Sequence, residues 1–178
     1  MTEKIRLKPW IEPLSLDFKN SVLLSETTEM IGTVHILSRR GANARIREQV
    51  EALVNGCEER LQKRLGKAAG MALARGNIEG GLSSLTEKSL GCILKGGTTP
   101  IQEVLAYAHR PSKSGLVIMD TPGYDISSMA GLAAAGAQLI LFTTGRGSVA
   151  GFPAVPVIKI ATNTPLFERL SDDMDLNA

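Results

Sequence analysis

At 178 residues, with 43% apolar and 21% charged side chains, the chain carries enough apolar surface for one core, and wholesale disorder is excluded. The net charge is +2, and the basic residues between Arg39 and Arg75 alternate with Glu48, Glu51, Glu58 and Glu59, which argues against a one-sided nucleic-acid footprint. The longest apolar stretch, residues 130–142, is broken by Gly131, Gly136 and Gln138, so no membrane span is expected.

Residues 1–20 have mixed charge, Pro9, Pro13 and no sustained period, and read as an N-terminal arm without a signal-peptide core; residues 21–178 read as one α/β domain. Val22-Leu-Leu24 is a short strand ending at Ser25-Glu-Thr-Thr-Glu29. From residue 42 to 65, Ile46, Val50, Leu53, Val54, Cys57 and Leu61 recur at helical spacing with charged residues between them, which predicts an amphipathic helix. A glycine-rich bend follows at residues 75–82. Ser84-Leu-Thr-Glu87 then has capping-box form and opens a helix that stops at Gly96-Gly97. Residues 101–108 form a further short element. From Gly115 onward the order is strand, loop, helix, strand, loop, strand, helix, with the helix over residues 126–135 rich in Ala and Gly.

Three apolar runs, Gly115-Leu-Val-Ile-Met119, Gln138-Leu-Ile-Leu-Phe142 and Val157-Ile-Lys-Ile-Ala161, each end in small polar residues. Continuous apolar runs suit strands buried on both faces, so the expected fold is a three-layer, mostly parallel, Rossmann-like sheet flanked by helices. Side by side, these strands would deliver their polar ends to one edge, where open α/β sheets hold ligands. Thr143-Thr-Gly-Arg-Gly147 combines hydroxyls, glycine-freed backbone donors and a guanidinium, a set suited to a carboxylate or phosphate; the alternative is a tight turn with Arg146 solvated or paired. Neither a Walker motif nor a dinucleotide fingerprint is present. Asp120 and Asp125 flank the proposed cleft, with Asp125 also suited to capping the following helix. Asn163 can orient a substrate hydroxyl or cap the helix that Pro165 begins. Glu26 and Glu29 are candidates for a general base or a metal ligand, or for an acidic helix N-terminus. Lys88 and Lys95 flank the capped helix and read first as solvated. Cys57 and Cys92 lack zinc spacing and read as small buried residues in a reducing, cytoplasmic setting. His35 and His109 have no partner at metal-ligand spacing.

The strings Leu24-Ser-Glu-Thr-Thr-Glu-Met30, Gly76-Asn-Ile-Glu-Gly-Gly-Leu82, Glu87-Lys-Ser-Leu-Gly91, Lys95-Gly-Gly-Thr98, Met119-Asp-Thr-Pro-Gly123, Phe142-Thr-Thr-Gly-Arg-Gly147, Val157-Ile-Lys-Ile-Ala-Thr-Asn163 and Asp172-Asp-Met-Asp175 occur in this order. Together they resemble the C-terminal part of the altronate/galactarate dehydratase family of sugar-acid hydro-lyases, over nearly the whole chain. The resemblance implies removal of water from an aldonic or aldaric acid to give a 2-keto-3-deoxy acid, with a divalent metal, Fe²⁺ or Mn²⁺. It implies Glu26 and Glu29 as acid/base or metal candidates. Thr143, Thr144 and Arg146 would grip a substrate carboxylate, and Asn77, Lys88 and Asn163 would lie near the sugar chain; Asp120, by residue type and place, is a candidate to bind the substrate's hydroxyls.

The chain departs from the family in two respects. Members are usually longer, with a small N-terminal and a middle domain ahead of this region. The glycine bend here carries Leu73-Ala-Arg75 and Glu79 where a Pro-containing stretch and Ala are usual. A partner subunit bearing the missing domains is therefore expected for catalysis and for metal binding, and a homo-oligomer is compatible with the sequence. The competing readings are a noncatalytic sugar-acid-binding module or remnant, and a sulfolactate sulfo-lyase.

Overall fold

The computed structural model describes residues 20–66, 78 and 82–178. Asn77 and most of the glycine bend lie outside the described residues, so their expected roles are not placed.

Strand β1 (Ser21–Leu24) leads through a 3-10 turn (Thr27–Met30) to a one-turn helix α1 (Val34–Leu37). The long helix α2 (Ala44–Leu65) follows, its first turn capped by Asn43, whose side-chain oxygen accepts from the Ile46 N–H at 3.0 Å. It buries Ile46, Val50, Val54 and Cys57, the stripe expected from the sequence. Helix α3 (Leu85–Ile93) is opened by Ser84, which accepts from the Glu87 N–H at 3.1 Å. The Glu87 carboxylate reaches back one residue further than a capping box requires, to the Ser83 N–H and hydroxyl at 2.8 and 2.7 Å. Strand β2 (Ile101–Leu105), strand β3 (Gly115–Met119) and helix α4 (Asp125–Ala134) come next. Strand β4 (Ile140–Thr144), strand β5 (Val157–Ala161), helix α5 (Thr164–Arg169) and the two-residue β6 (Leu176–Asn177) complete the chain.

The strands form two parallel three-stranded sheets, ordered β1-β3-β2 and β4-β5-β6. Of the strands expected side by side at residues 115, 138 and 157, the last two do pair in parallel, and the expectation is corrected for the first, which lies in the other sheet. β3 is flanked by β1 and β2, and among the described residues β4 pairs with β5 alone. An apolar run says that a strand is buried on both faces, but not which strand its crossovers set beside it. β3 fits its central place, since Leu116, Val117, Ile118 and Met119 are all at most 1% exposed. Each such side chain contributes about 1.5–3 kcal/mol on burial.

Helices α2 and α3 cover one face of the first sheet, around Met30, Leu37, Val50, Val54, Ile93 and Ile118. The opposite face carries α4, and its core spans both sheets: Met129 and Leu132 pack with Met119 and Leu23 of the first and with Ile140 and Phe142 of the second. Gly131 permits this docking, because a Cβ there would lie 2.5 Å from the Tyr107 ring. Helix α5 packs Leu166 near Ala161 and Met174. Among the described residues no helix is long and apolar enough to cross a membrane.

Candidate functional site

A cavity of 680 Å³ opens between β1 and β4. Around its polar end stand Glu26, Glu29, Cys92, Lys95, Asp125 and Ser128. Glu26 leaves the tip of β1 in the left-handed region, at φ 67°, a conformation that carries a steric cost for any residue with a Cβ. The turn is fixed from beneath. The Glu26 N–H donates to Thr121 Oγ1 at 2.5 Å and the Thr27 N–H to the Thr121 carbonyl at 3.1 Å. Thr121 Oγ1 lies 3.3 Å from Ser128 Oγ, which donates to Ser25 Oγ at 3.0 Å. A chain of hydroxyls from the end of β3 and from α4 thus holds the backbone that carries the carboxylate.

The two glutamates are driven apart electrostatically. Burial, then the neighbouring charge of Glu29, push the Glu26 carboxyl up to about 7, with Asp125 adding to the rise and Lys95 and Lys88 opposing it. Burial opposes ionisation of Glu29 as well. Its net shift is downward because Lys95, the Cys92 thiol and Lys88 all favour the anion. Lys88 Nζ lies 2.5 Å from Glu29 Oε1 and Cys92 Sγ donates to Oε2 at 2.6 Å, so both carboxylate oxygens are engaged. Burial holds the Cys92 thiol up at about 12, which keeps it a proton donor. The pair therefore offers one carboxyl able to exchange a proton near neutral pH and one fixed anion.

The other expected site residues divide. Thr143 borders the same cavity, and its Oγ1 is buried with no hydrogen-bond partner among the described residues. Thr144 Oγ1 is turned to its own loop, accepting from the Arg146 and Gly147 N–H groups at 3.3 and 3.0 Å. Arg146 stands on that loop, and its carbonyl accepts from Arg169 at 3.3 Å. Asn163 takes the capping role: its Oδ1 accepts from the Leu166 N–H at 2.9 Å and its Nδ2 donates to the Gly145 carbonyl at 3.1 Å. Asp120 accepts from Thr27 Oγ1 at 2.9 Å and pairs with Arg60 at 3.2 Å on the side of α2. Asp120, Thr144, Arg146 and Asn163 are not among the residues that line this cavity.

Three sequence readings are corrected. Asp125 does not cap α4, whose N-cap position is Tyr124; its carboxylate accepts from Ser148 Oγ at 2.9 Å. Lys88 is not a solvated face but the partner of a mostly buried carboxylate. Lys95 lines the cavity rather than standing clear of it. The roles of Cys92, Thr121 and Ser128 were not visible in sequence. The i, i+4 spacing of Lys88 and Cys92 puts both on one face of α3 and is the one signal that could have shown their shared partner.

Comparison with known proteins places these features in context. The family described as D-galactarate/Altronate dehydratase, C-terminal, matches residues 14–178. The chain is 39% identical over 158 residues to the altronate dehydratase of Bacillus subtilis (strain 168), covering 89% of this chain and 31% of the relative. It is 39% identical over 159 residues to the galactarate dehydratase (L-threo-forming) of Escherichia coli (strain K12), covering 89% and 30%. It is also 31% identical over 159 residues to the (2R)-sulfolactate sulfo-lyase subunit beta of Chromohalobacter salexigens, covering 88% and 41%. The chain thus spans about a third of the length of the two dehydratases.

Proposed function

Because the chain belongs to the D-galactarate/altronate dehydratase C-terminal family, we propose that it supplies the acid/base part of a sugar-acid dehydratase site. The substrate is an aldonic or aldaric acid, and a partner polypeptide carries the rest of the enzyme. The observation that supports this most directly is the Glu26/Glu29 pair at the cavity, split into a proton-exchanging and an anionic member.

Elimination needs a base for the proton beside the carboxylate and a proton for the departing hydroxide. Glu26, titrating near 7, can remove the first and return a proton to the hydroxyl as the C–O bond breaks. Water leaves, and the enol that remains tautomerises to the 2-keto-3-deoxy acid. Positive charge from Lys95, at the cavity, favours the aci-carboxylate that develops in between. Glu29 keeps Lys88 in place. The Thr143 hydroxyl, without a hydrogen-bond partner among the described residues, is suited to a substrate oxygen. Among the described residues no group of three or more His, Cys, Asp or Glu converges as a metal site, and both Glu29 oxygens are engaged. The described residues do not fit a resident Fe²⁺ or Mn²⁺, and in this reading a metal site, like the substrate's remaining contacts, belongs to the partner.

The test is thermal stability with galactarate and with altronate, followed by assay for the keto acid with and without a polypeptide carrying the remaining domains. Stabilisation by one acid, lost in Lys95→Met, is expected, with turnover only in the mixture. No shift with either acid and no turnover in the mixture would overturn the assignment; turnover by the chain alone would overturn the need for a partner.

A further inference from the structure

The cavity has a form that a small-molecule cleft does not require. Every residue of β1 from Ser21 to Leu24 borders it, and so does every residue from Gln138 to Thr143 along β4. Side chains of a strand alternate between faces, so an unbroken run of lining residues means that the strand's edge, not one of its faces, looks into the space. Among the described residues β1 pairs with β3 alone and β4 with β5 alone, so within that set each presents an edge with unmatched backbone N–H and C=O groups.

The two edges run the same way. At the C-terminal ends Ser148, just after β4, donates to Asp125, just after β3, and β3 is parallel to β1. At the other end Arg110, ahead of β3, and Gly136, ahead of β4, are neighbours: a Cβ on Gly136 would lie 3.6 Å from Arg110 Nε. The space is roofed on both sides, by Met129 and Leu132 of α4 and by Ile93 of α3 with Met30 of the 3-10 turn. The core beneath α4 already continues across the gap from Leu23 to Phe142. One strand occupies 4.8 Å between neighbours and about 10 Å between layers, so five residues at 3.3 Å each need roughly 800 Å³. The cavity measures 680 Å³.

We propose that the interval between β1 and β4 is a strand-acceptor slot. Its occupant is an extended, apolar polypeptide segment parallel to both edges, drawn from the part of the family's longer proteins that lies outside the matched domain. Filled, the slot joins the two sheets into one seven-stranded parallel sheet, ordered β2-β3-β1, inserted strand, β4-β5-β6. Apolar side chains on both faces of the insert follow from the apolar roofs. Its C-terminal end emerges between Glu26 and Thr143, so the loop that follows it enters the candidate site. That the relatives are about three times the length of the match supplies the source. The inference deepens the partner part of the proposed function. Its test uses no sugar acid, so the two can fail separately.

The test uses the full chain and overlapping 14-residue peptides tiled over the unmatched part of the Bacillus subtilis altronate dehydratase. Backbone hydrogen exchange and thermal stability are the readouts. One apolar peptide is expected to bind saturably, raise the melting temperature and slow exchange at residues 22–24 and 140–142 together by at least tenfold. The same peptide with Pro at its central position should lose all three effects, since it can no longer donate to an edge. The proposal is overturned by no peptide protecting both edges, by protection that survives the Pro, or by both edges being protected in the chain alone.

Discussion

Replacing Glu26 by Gln should stabilise the protein at neutral and alkaline pH and leave it nearly unchanged in acid. The carboxyl is raised from its ordinary 4.5 to about 7 by burial first and by the Glu29 charge second. The folded state therefore binds this proton more tightly than the unfolded chain does. Between pH 4.5 and 7 the native state carries the extra proton, so its stability falls as pH rises through that window. At about 1.4 kcal/mol per pH unit, the full effect above pH 7 is at most about 3 kcal/mol. Gln keeps the shape and has no proton to lose. The difference between Glu26→Gln and the parent should be close to zero at pH 4, grow through pH 6, and level off above pH 7. In a chain of this size it corresponds to a melting-temperature gain of roughly 6–12 °C. Thermal or urea unfolding from pH 4 to 8 measures it. A companion Glu29→Gln variant removes the like charge, and the double variant should then gain less than the sum of the single effects. A pH-independent difference for Glu26→Gln would refute the assignment of burial and Glu29 as the causes, and with it the acid/base role.

Lys88→Met should destabilise by about 2 kcal/mol at pH 7, since it strands a mostly buried Glu29. Because Glu29 titrates below its ordinary value, that loss should shrink as pH falls through the carboxylate range, as followed by urea unfolding. Asn163→Ala removes the cap of α5 and the bond to Gly145, and should cost about 1 kcal/mol by the same assay. Gly131→Ala drives a methyl against the Tyr107 ring and should cost about 1–3 kcal/mol. An enlarging Tyr107→Trp change should worsen it, whereas Tyr107→Leu should relieve most of the loss; the series is read by melting temperature.

Much of the fold was legible because it follows from local rules. The stripe from Ile46 to Cys57 fixed α2, the Ser84 cap fixed the start of α3, and the run Gly115–Met119 marked a strand buried on both faces. The candidate site was legible in part. Glu26 and Glu29 stood out as carboxylates after a strand, but their division of labour depends on charges contributed by α3 and the turn after it, about sixty residues away.

Residue order by itself determined the elements, their polar termini and the family, since these depend on spacing along the chain. Tertiary structure decided which strands are neighbours, that Asn163 serves as a cap, that Lys88 faces a buried carboxylate, and that two sheet edges confront one another across a cavity. Those outcomes depend on how distant segments share volume and charge, and no local pattern encodes a contact whose partners are brought together only when the whole chain packs.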